Sequence, residues 1–179
     1  IGRARAAGVP VFVGSLASNL RDQPPFAAEP GGPTVDARAA FAAARARLAA
    51  GDTTAARALF ARARDLDVLR FRAPAAFDTI VRDVARAAGA VYVPVAEAVA
   101  AGAPGGIPGA ESFYEHVHPR PAATVRMARA FYAALADARF LGRAADTTRL
   151  RPWEAYAARM ALTPLDLRIA DVVVAAITA

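Results

Sequence analysis

Two valine-rich apolar runs lie far apart in this chain, Val9 to Leu16 (VPVFVGSL) and Ala90 to Val95 (AVYVPV). Short continuous runs of this kind suit strands covered on both faces, as in a parallel sheet. Helical patterns stand between and after them, so the order is helix–strand–helix–strand–helix, the grammar of an α/β fold. Two strands do not make a stable parallel sheet, which needs three or more with helices on both faces. Ile1 to Ala7 reads as the tail of a helix, with Gly8 just past its end. The expectation is an α/β domain whose N-terminal half lies outside this sequence.

The segment after the first run is a polar turn, Ala17 to Asp22. Gln23 to Val35 then carries Pro24, Pro25, Pro30, Gly31, Gly32 and Pro33, and reads only as loop. From Asp36 to Asp67 the character changes. Phe41, Ala44 and Leu48 share one helical face, and Gly51 follows as a stop. Asp52 is placed to cap a second helix with the face Ala56, Leu59, Phe60, Ala63 and Leu66. Two antiparallel helices joined by a Gly-Asp turn form an αα-hairpin, similar in length and small-residue pattern to one tetratricopeptide-type unit. A single unit cannot bury both faces, so it should pack on a neighbour.

Beyond Pro74, the residues Phe77, Ile80, Val81 and Val84 trace a helix ended by Gly89, which leads into the second strand. Val95 to Ala100 begins a short helix, and Gly102 to Gly109 is a Gly/Pro loop. Ser112 to Pro119 (SFYEHVHP) is a turn or short extended piece. Pro121 suits the first turn of the next helix, whose apolar face is Val125, Ala128, Phe131, Tyr132 and Leu135. Two further helices follow, one near Pro152 to Ala161 and one opening at Thr163-Pro164, with Asp166 placed as in a capping box.

Composition narrows the classes. The 179 residues fit one domain, or one domain with a small insertion, and 56% are apolar, which excludes disorder. With no Cys there is no disulfide, thiol nucleophile or cysteine-type zinc site. The net charge of +6 comes entirely from Arg, scattered among Asp and Glu without a run of like charge, so no nucleic-acid partner is expected. The most apolar stretch, Val172 to Ala179, is too short to cross a bilayer. The sequence leaves the localisation open.

Both histidines fall in Tyr114-Glu115-His116-Val117-His118-Pro119, between a Gly-rich loop and a helix start. A His beside a carboxylate is a candidate general base, because the carboxylate orients the ring and stabilises the imidazolium. Residues two apart in an extended segment face the same way, so His116 and His118 could also both reach a zinc ion. No further His or Cys is available, however, and Asp or Glu would have to complete such a site. Asn19 lies just past the carboxyl end of the first strand, where ligand sites of α/β sheets form, and its amide could donate to an oxyanion.

Together, Ser18-Asn19-Leu20 and Glu115-His116-Val117-His118-Pro119 resemble two blocks of the SGNH (GDSL-type) hydrolases. The helical hairpin, LDVLRFR (Leu66 to Arg72) and FYEHVH (Phe113 to His118) look like a bacterial branch carrying a tetratricopeptide-like segment. The resemblance implies a flavodoxin-like three-layer α/β/α fold, incomplete at the N-terminus. It divides the chain into a partial hydrolase domain (1–35), an inserted α-hairpin (36–67), the continued hydrolase domain (68–138) and a C-terminal helical extension (139–179). It further implies an esterase in which His118 is the base, Glu115 its orienting acid and Asn19 an oxyanion donor. His116 would occupy a variable position. No cofactor or metal is implied, and the substrate would be a small-molecule or carbohydrate ester.

Two departures accompany the resemblance. Glu115 stands where the family has Asp, one methylene longer. The family's Gly-Asp-Ser nucleophile block and its Gly oxyanion donor are not found. Gly51-Asp52-Thr53 joins two helices rather than following a strand, and Ser15 and Ser18 crowd Asn19, so the attacking Ser is expected upstream of Ile1. The alternative is a tetratricopeptide-like module that engages a protein partner through the hairpin, with a vestigial hydrolase site.

Overall fold

The computed structural model describes residues 1–27, 36–140, 142, 144 and 146–178. In chain order these form α1 (Gly2–Ala6), β1 (Phe12–Gly14), α2 (Ala37–Ala49), α3 (Thr53–Asp65), α4 (Ala75–Ala87), β2 (Val91–Val93), α5 (Val95–Ala101), α6 (Pro121–Asp137), α7 (Trp153–Arg159) and α8 (Pro164–Thr178). The part of the proline-rich loop between positions 28 and 35 lies outside the described residues.

β1 and β2 pair in parallel with Phe12 opposite Val91, Val13 opposite Tyr92 and Gly14 opposite Val93. Among the described residues this is a two-stranded sheet. Each strand is shorter than its apolar run, and Val9 and Leu16 are exposed at the two ends of the first run. A ladder persists only where a neighbour supplies the partner groups. Gly14 marks the closest packing. A Cβ there would stand 2.8 Å from Val95 Cγ2 and 3.1 Å from Phe131 Cζ, so α5 and α6 approach the strand only because it has no side chain at that point.

The hairpin of α2 and α3 is set by local chemistry. Asp36 accepts a hydrogen bond from Ala39 N at 2.7 Å and Asp52 one from Ala55 N at 3.1 Å, each satisfying an amide that its helix leaves open. Gly51 between them has φ +81°, the left-handed region in which a Cβ is strained. Ala44, Ala56 and Phe60 are buried with Ile107, and Leu20, Phe41, Leu48 and Leu59 pack around them. Ile107 and Leu20 belong to loops outside the hairpin, so the hairpin seals its inner face by docking on them. A second cluster joins Val99 of α5, Phe113 and Ala123 of α6, with Ala17 and Met127 against it.

One helix turns differently from the periodicity-based expectation, and a second keeps most of its expected face half-buried, with Val125, Phe131, Tyr132 and Leu135 partly covered. α4 leaves Phe77, Ile80 and Val84 half-exposed and buries Ala85, because two strands of three residues are too narrow to cover its stripe. In α6 the buried residues are Ala123 and Ala136, while Ala128 is exposed. Small side chains let this helix approach α5 and the strands closely.

At the C-terminus, Asp166 accepts from Thr163 N at 2.8 Å and donates its own amide to Thr163 Oγ1 at 3.3 Å, a reciprocal cap for α8. Arg120 pairs with Asp171 and ties α8 to the body. Among the described residues no helix is long and apolar enough to cross a membrane.

Candidate active site

The histidine block is a tight loop closed by main-chain bonds. Phe113 and Pro119 form an antiparallel bridge. Tyr114 N donates to the His118 carbonyl at 2.9 Å, and Arg120 N to that of Ser112 at 2.8 Å. Inside the loop, Glu115 Oε1 accepts from Val117 N at 3.1 Å and from His118 N at 2.6 Å. The same oxygen stands 2.7 Å from His118 Nδ1, while Oε2 faces His116 Nδ1.

The burial of these groups is unequal. The Glu115 side chain is 9% exposed and that of His118 77%. Burial works to raise the carboxyl pKa, but the amides of His118 and Val117 and the His118 ring outweigh it and hold it down at about 2. An ionised carboxylate only accepts, so His118 Nδ1 is the donor of this pair, and Nε2 is the ring nitrogen left for a further contact. The side chain one methylene longer than Asp therefore spans the turn to the ring it was expected to orient.

Asn19 is held against this loop. Its main-chain N–H donates to the His116 carbonyl at 2.9 Å, and the next two amides, of Leu20 and Arg21, donate to the Pro108 carbonyl at 2.8 and 3.0 Å. Asn19 Oδ1 accepts from Asp22 N at 3.0 Å, an Asx turn that orients the side chain. Among the described residues its Nδ2 donates to no partner. The structure thus brings residue 19 and the Glu115–His118 loop together at the carboxyl end of β1. Arg21, Asp22 and Glu111 fasten the same region: Asp22 accepts from Arg21 at 2.9 Å and from Ala110 N at 2.8 Å, and Arg21 also reaches Glu111.

The scaffold beneath Asn19 was not anticipated from the sequence. Arg72 and Asp67 are both 2% exposed and pair at 3.2 Å. Arg72 Nη1 donates to the carbonyls of Asn19 and Gln23 at 2.9 and 2.8 Å. Asp67 accepts from the amides of Phe26, Ala27 and Leu69 at 2.9, 3.1 and 3.2 Å. Burial lowers the pKa of the Arg72 guanidinium, and Asp67 opposes that shift. The usable signal was an Asp directly after a helix and an Arg five positions on, in a segment with no helical period to place either charge on a solvated face.

The two serines near Asn19 differ. Ser15 Oγ accepts from Ala96 N at 2.8 Å and donates to Glu97 at 3.2 Å, capping the start of α5 from across the sheet. Ser18 is buried, and its hydroxyl has no partner among the described residues. Gly51-Asp52-Thr53 joins α2 to α3 and follows neither strand in the chain.

His116 packs edge-on to Phe26 at 5.2 Å between ring centres and lies 5.8 Å from Phe71. Both histidines turn Nδ1 to Glu115, and among the described residues no three His, Cys, Asp or Glu side chains gather as a metal-binding group. A cavity of about 530 Å³ lies beside the block, walled by Leu16, Phe71, Phe77, Val95, Val117 and Met127 among others.

Compared with family models, curated proteins and solved structures, the chain matches none.

Proposed function

We propose that this chain is the C-terminal portion of a serine esterase of SGNH type acting on small-molecule or carbohydrate esters. The observation that carries this reading is the 2.7 Å approach of Glu115 Oε1 to His118 Nδ1, which leaves Nε2 of an exposed ring free. In the proposed reaction a serine upstream of Ile1 attacks the ester carbonyl, and His118 Nε2 takes its proton. The imidazolium is stabilised by Glu115, which stays ionised and holds the ring in place. Asn19 Nδ2 donates to the oxyanion of the tetrahedral intermediate. His118 then returns the proton to the departing alkoxide, and water repeats the sequence to release the acid. The apolar cavity beside Val117 accommodates the acyl group.

p-Nitrophenyl acetate hydrolysis tests the reading. The 179-residue chain alone is expected not to turn over. When it is joined to its natural upstream sequence, turnover appears and falls at least ~10²-fold with His118→Ala, the usual weight of general acid–base catalysis. Turnover by the chain alone that Ser15→Ala or Ser18→Ala abolishes would overturn the upstream serine. A rate indifferent to His118→Ala would remove His118 from the mechanism.

A further inference from the structure

Glu115 presents two oxygens, and the hydrogen bonds of its loop hold only one of them. Oε1 accepts from the amides of Val117 and His118 and faces His118 Nδ1 at 2.7 Å. Oε2 takes no share in those bonds, although it too is closed to solvent. An ionised carboxylate oxygen shut away from water calls for a donor, because an unmet charge costs more than an unmet neutral group. Among the described residues the ion-pair partners of Glu115 are the two histidines, with no arginine beside them. His116 Nδ1 is the group that stands against Oε2.

The neighbours of His116 fix its ring for that contact. Its side chain is 23% exposed, against 77% for His118. The ring meets Phe26 edge-on, with 5.2 Å between centres at 86°, and lies 5.8 Å from Phe71. Phe26 is itself anchored, because its amide donates to the buried Asp67 at 2.9 Å. On the main-chain side, the His116 carbonyl accepts from Asn19 N at 2.9 Å. The His118 ring stands 6.4 Å from that of His116 and nearly perpendicular to it, at 84°. The carboxylate is thus gripped by two imidazoles, one walled in by aromatic rings and one open to solvent. Packing alone would be served by any aromatic ring, whereas a nitrogen aimed at Oε2 adds a donor that a phenyl ring lacks.

We propose that His116 is a positioning residue whose Nδ1–H donates to Glu115 Oε2 and so keeps Oε1 aimed at His118 Nδ1. The terminal torsion of a glutamate is soft, and a second donor on the other oxygen stops the carboxylate from turning. With Oε1 fixed, His118 Nδ1 stays the donor and Nε2 stays available, since the bond at one ring nitrogen sets the state of the other. His116 acts through Glu115 and does not reach the reacting atoms. Its consequence for ester hydrolysis rests on the esterase reading, but the pairing of both imidazoles with one carboxylate does not.

Proton–nitrogen correlation spectra of the isotope-labelled chain, at a pH where both imidazoles are neutral, test this without turnover. They show which ring nitrogen carries the proton, and both rings are expected to carry it on Nδ1. His116→Phe keeps a ring between Phe26 and Phe71 but removes the donor, and His118 is expected to shift toward its Nε2–H form. In His116→Asn the amide Nδ2 lies as many bonds from Cα as the Nδ1 it replaces, and His118 is expected to return to Nδ1–H. A wild-type His116 protonated on Nε2 overturns the proposal, as does a His118 that His116→Phe leaves unchanged. A His118 shifted equally in both variants also overturns it, since the ring and not the donor would then matter. In the extended protein of the proposed reaction, His116→Phe lowers kcat with KM unchanged, and His116→Asn restores it. Absent turnover with the expected spectra removes the esterase reading and leaves the His116 pairing standing. His118-dependent turnover without those spectra does the reverse.

Discussion

The guanidinium of Arg72 donates to the main-chain carbonyl of Asn19 at 2.9 Å across 53 positions of sequence, from a side chain 2% exposed. Its charge is met by Asp67, which also collects three amides of the segments leading to and from the site. Removing one member of a buried pair leaves the other uncompensated, a loss of about 3–5 kcal/mol. Arg72→Ala and Asp67→Ala are therefore expected to destabilise the chain by amounts of that order in urea unfolding. Asp67→Ala is the worse of the two, because three amides lose their acceptor with it. The double variant should cost less than the sum, since each single change strands the same partner.

Glu115 gives the loop a pH signature. Its carboxyl is held at about 2 in the fold against an ordinary 4.5. A depressed folded pKa contributes stability that is fully present above the unfolded value. That stability fades as pH falls from about 4.5 toward 2, when protonation takes the acceptor from two amides and a ring. The full effect is on the order of 3 kcal/mol by linkage. Denaturant midpoints measured from pH 6 to pH 2 should fall more steeply in the wild type than in Glu115→Gln, where the lowered carboxyls of Asp22 and Glu111 still respond.

Asn19 separates a structural from a chemical role within one side chain. Oδ1 holds the Asx turn by accepting from Asp22 N at 3.0 Å, and Nδ2 is the proposed oxyanion donor. Asn19→Asp keeps an acceptor for the turn and removes the donor. In the extended protein of the proposed reaction, kcat for an ester is expected to fall about 10²–10³-fold. The melting temperature of that variant should stay near wild type. Equal activity of the two proteins would dismiss the amide from the reaction.

Ser15 is expected to matter for stability alone. Its hydroxyl caps α5 through Ala96 N and binds Glu97. Ser15→Ala leaves a helix-end amide unsatisfied, at about 1 kcal/mol. Ester hydrolysis by the extended protein should be unchanged, and a loss of activity at full stability would refute the capping role.

Much of the local structure could be read from short stretches of chain. Gly51 and Asp52 end one helix and begin the next because a left-handed turn and a free helix amide are satisfied within four residues. Thr163 and Asp166 cap α8 for the same reason. The proximity of Glu115 and His118 is also local, since three positions within one bridged turn suffice. The two parallel strands lie within the two apolar runs, although pairing shortens both. By contrast, the outward stripe of α4 was not legible, because periodicity names a face without saying what covers it.

The sequence by itself therefore determined where helices start and stop, which residues the strands come from, and the carboxylate–imidazole pairing, all of them interactions within a few residues. Only the tertiary structure decided that Asp67 and Arg72 go inside, that Ser15 caps a distant helix, and that Asn19 meets the carbonyl of His116. Each of those depends on a partner far along the chain, and the free energy of a buried charge or hydroxyl is set by that partner rather than by its neighbours in sequence.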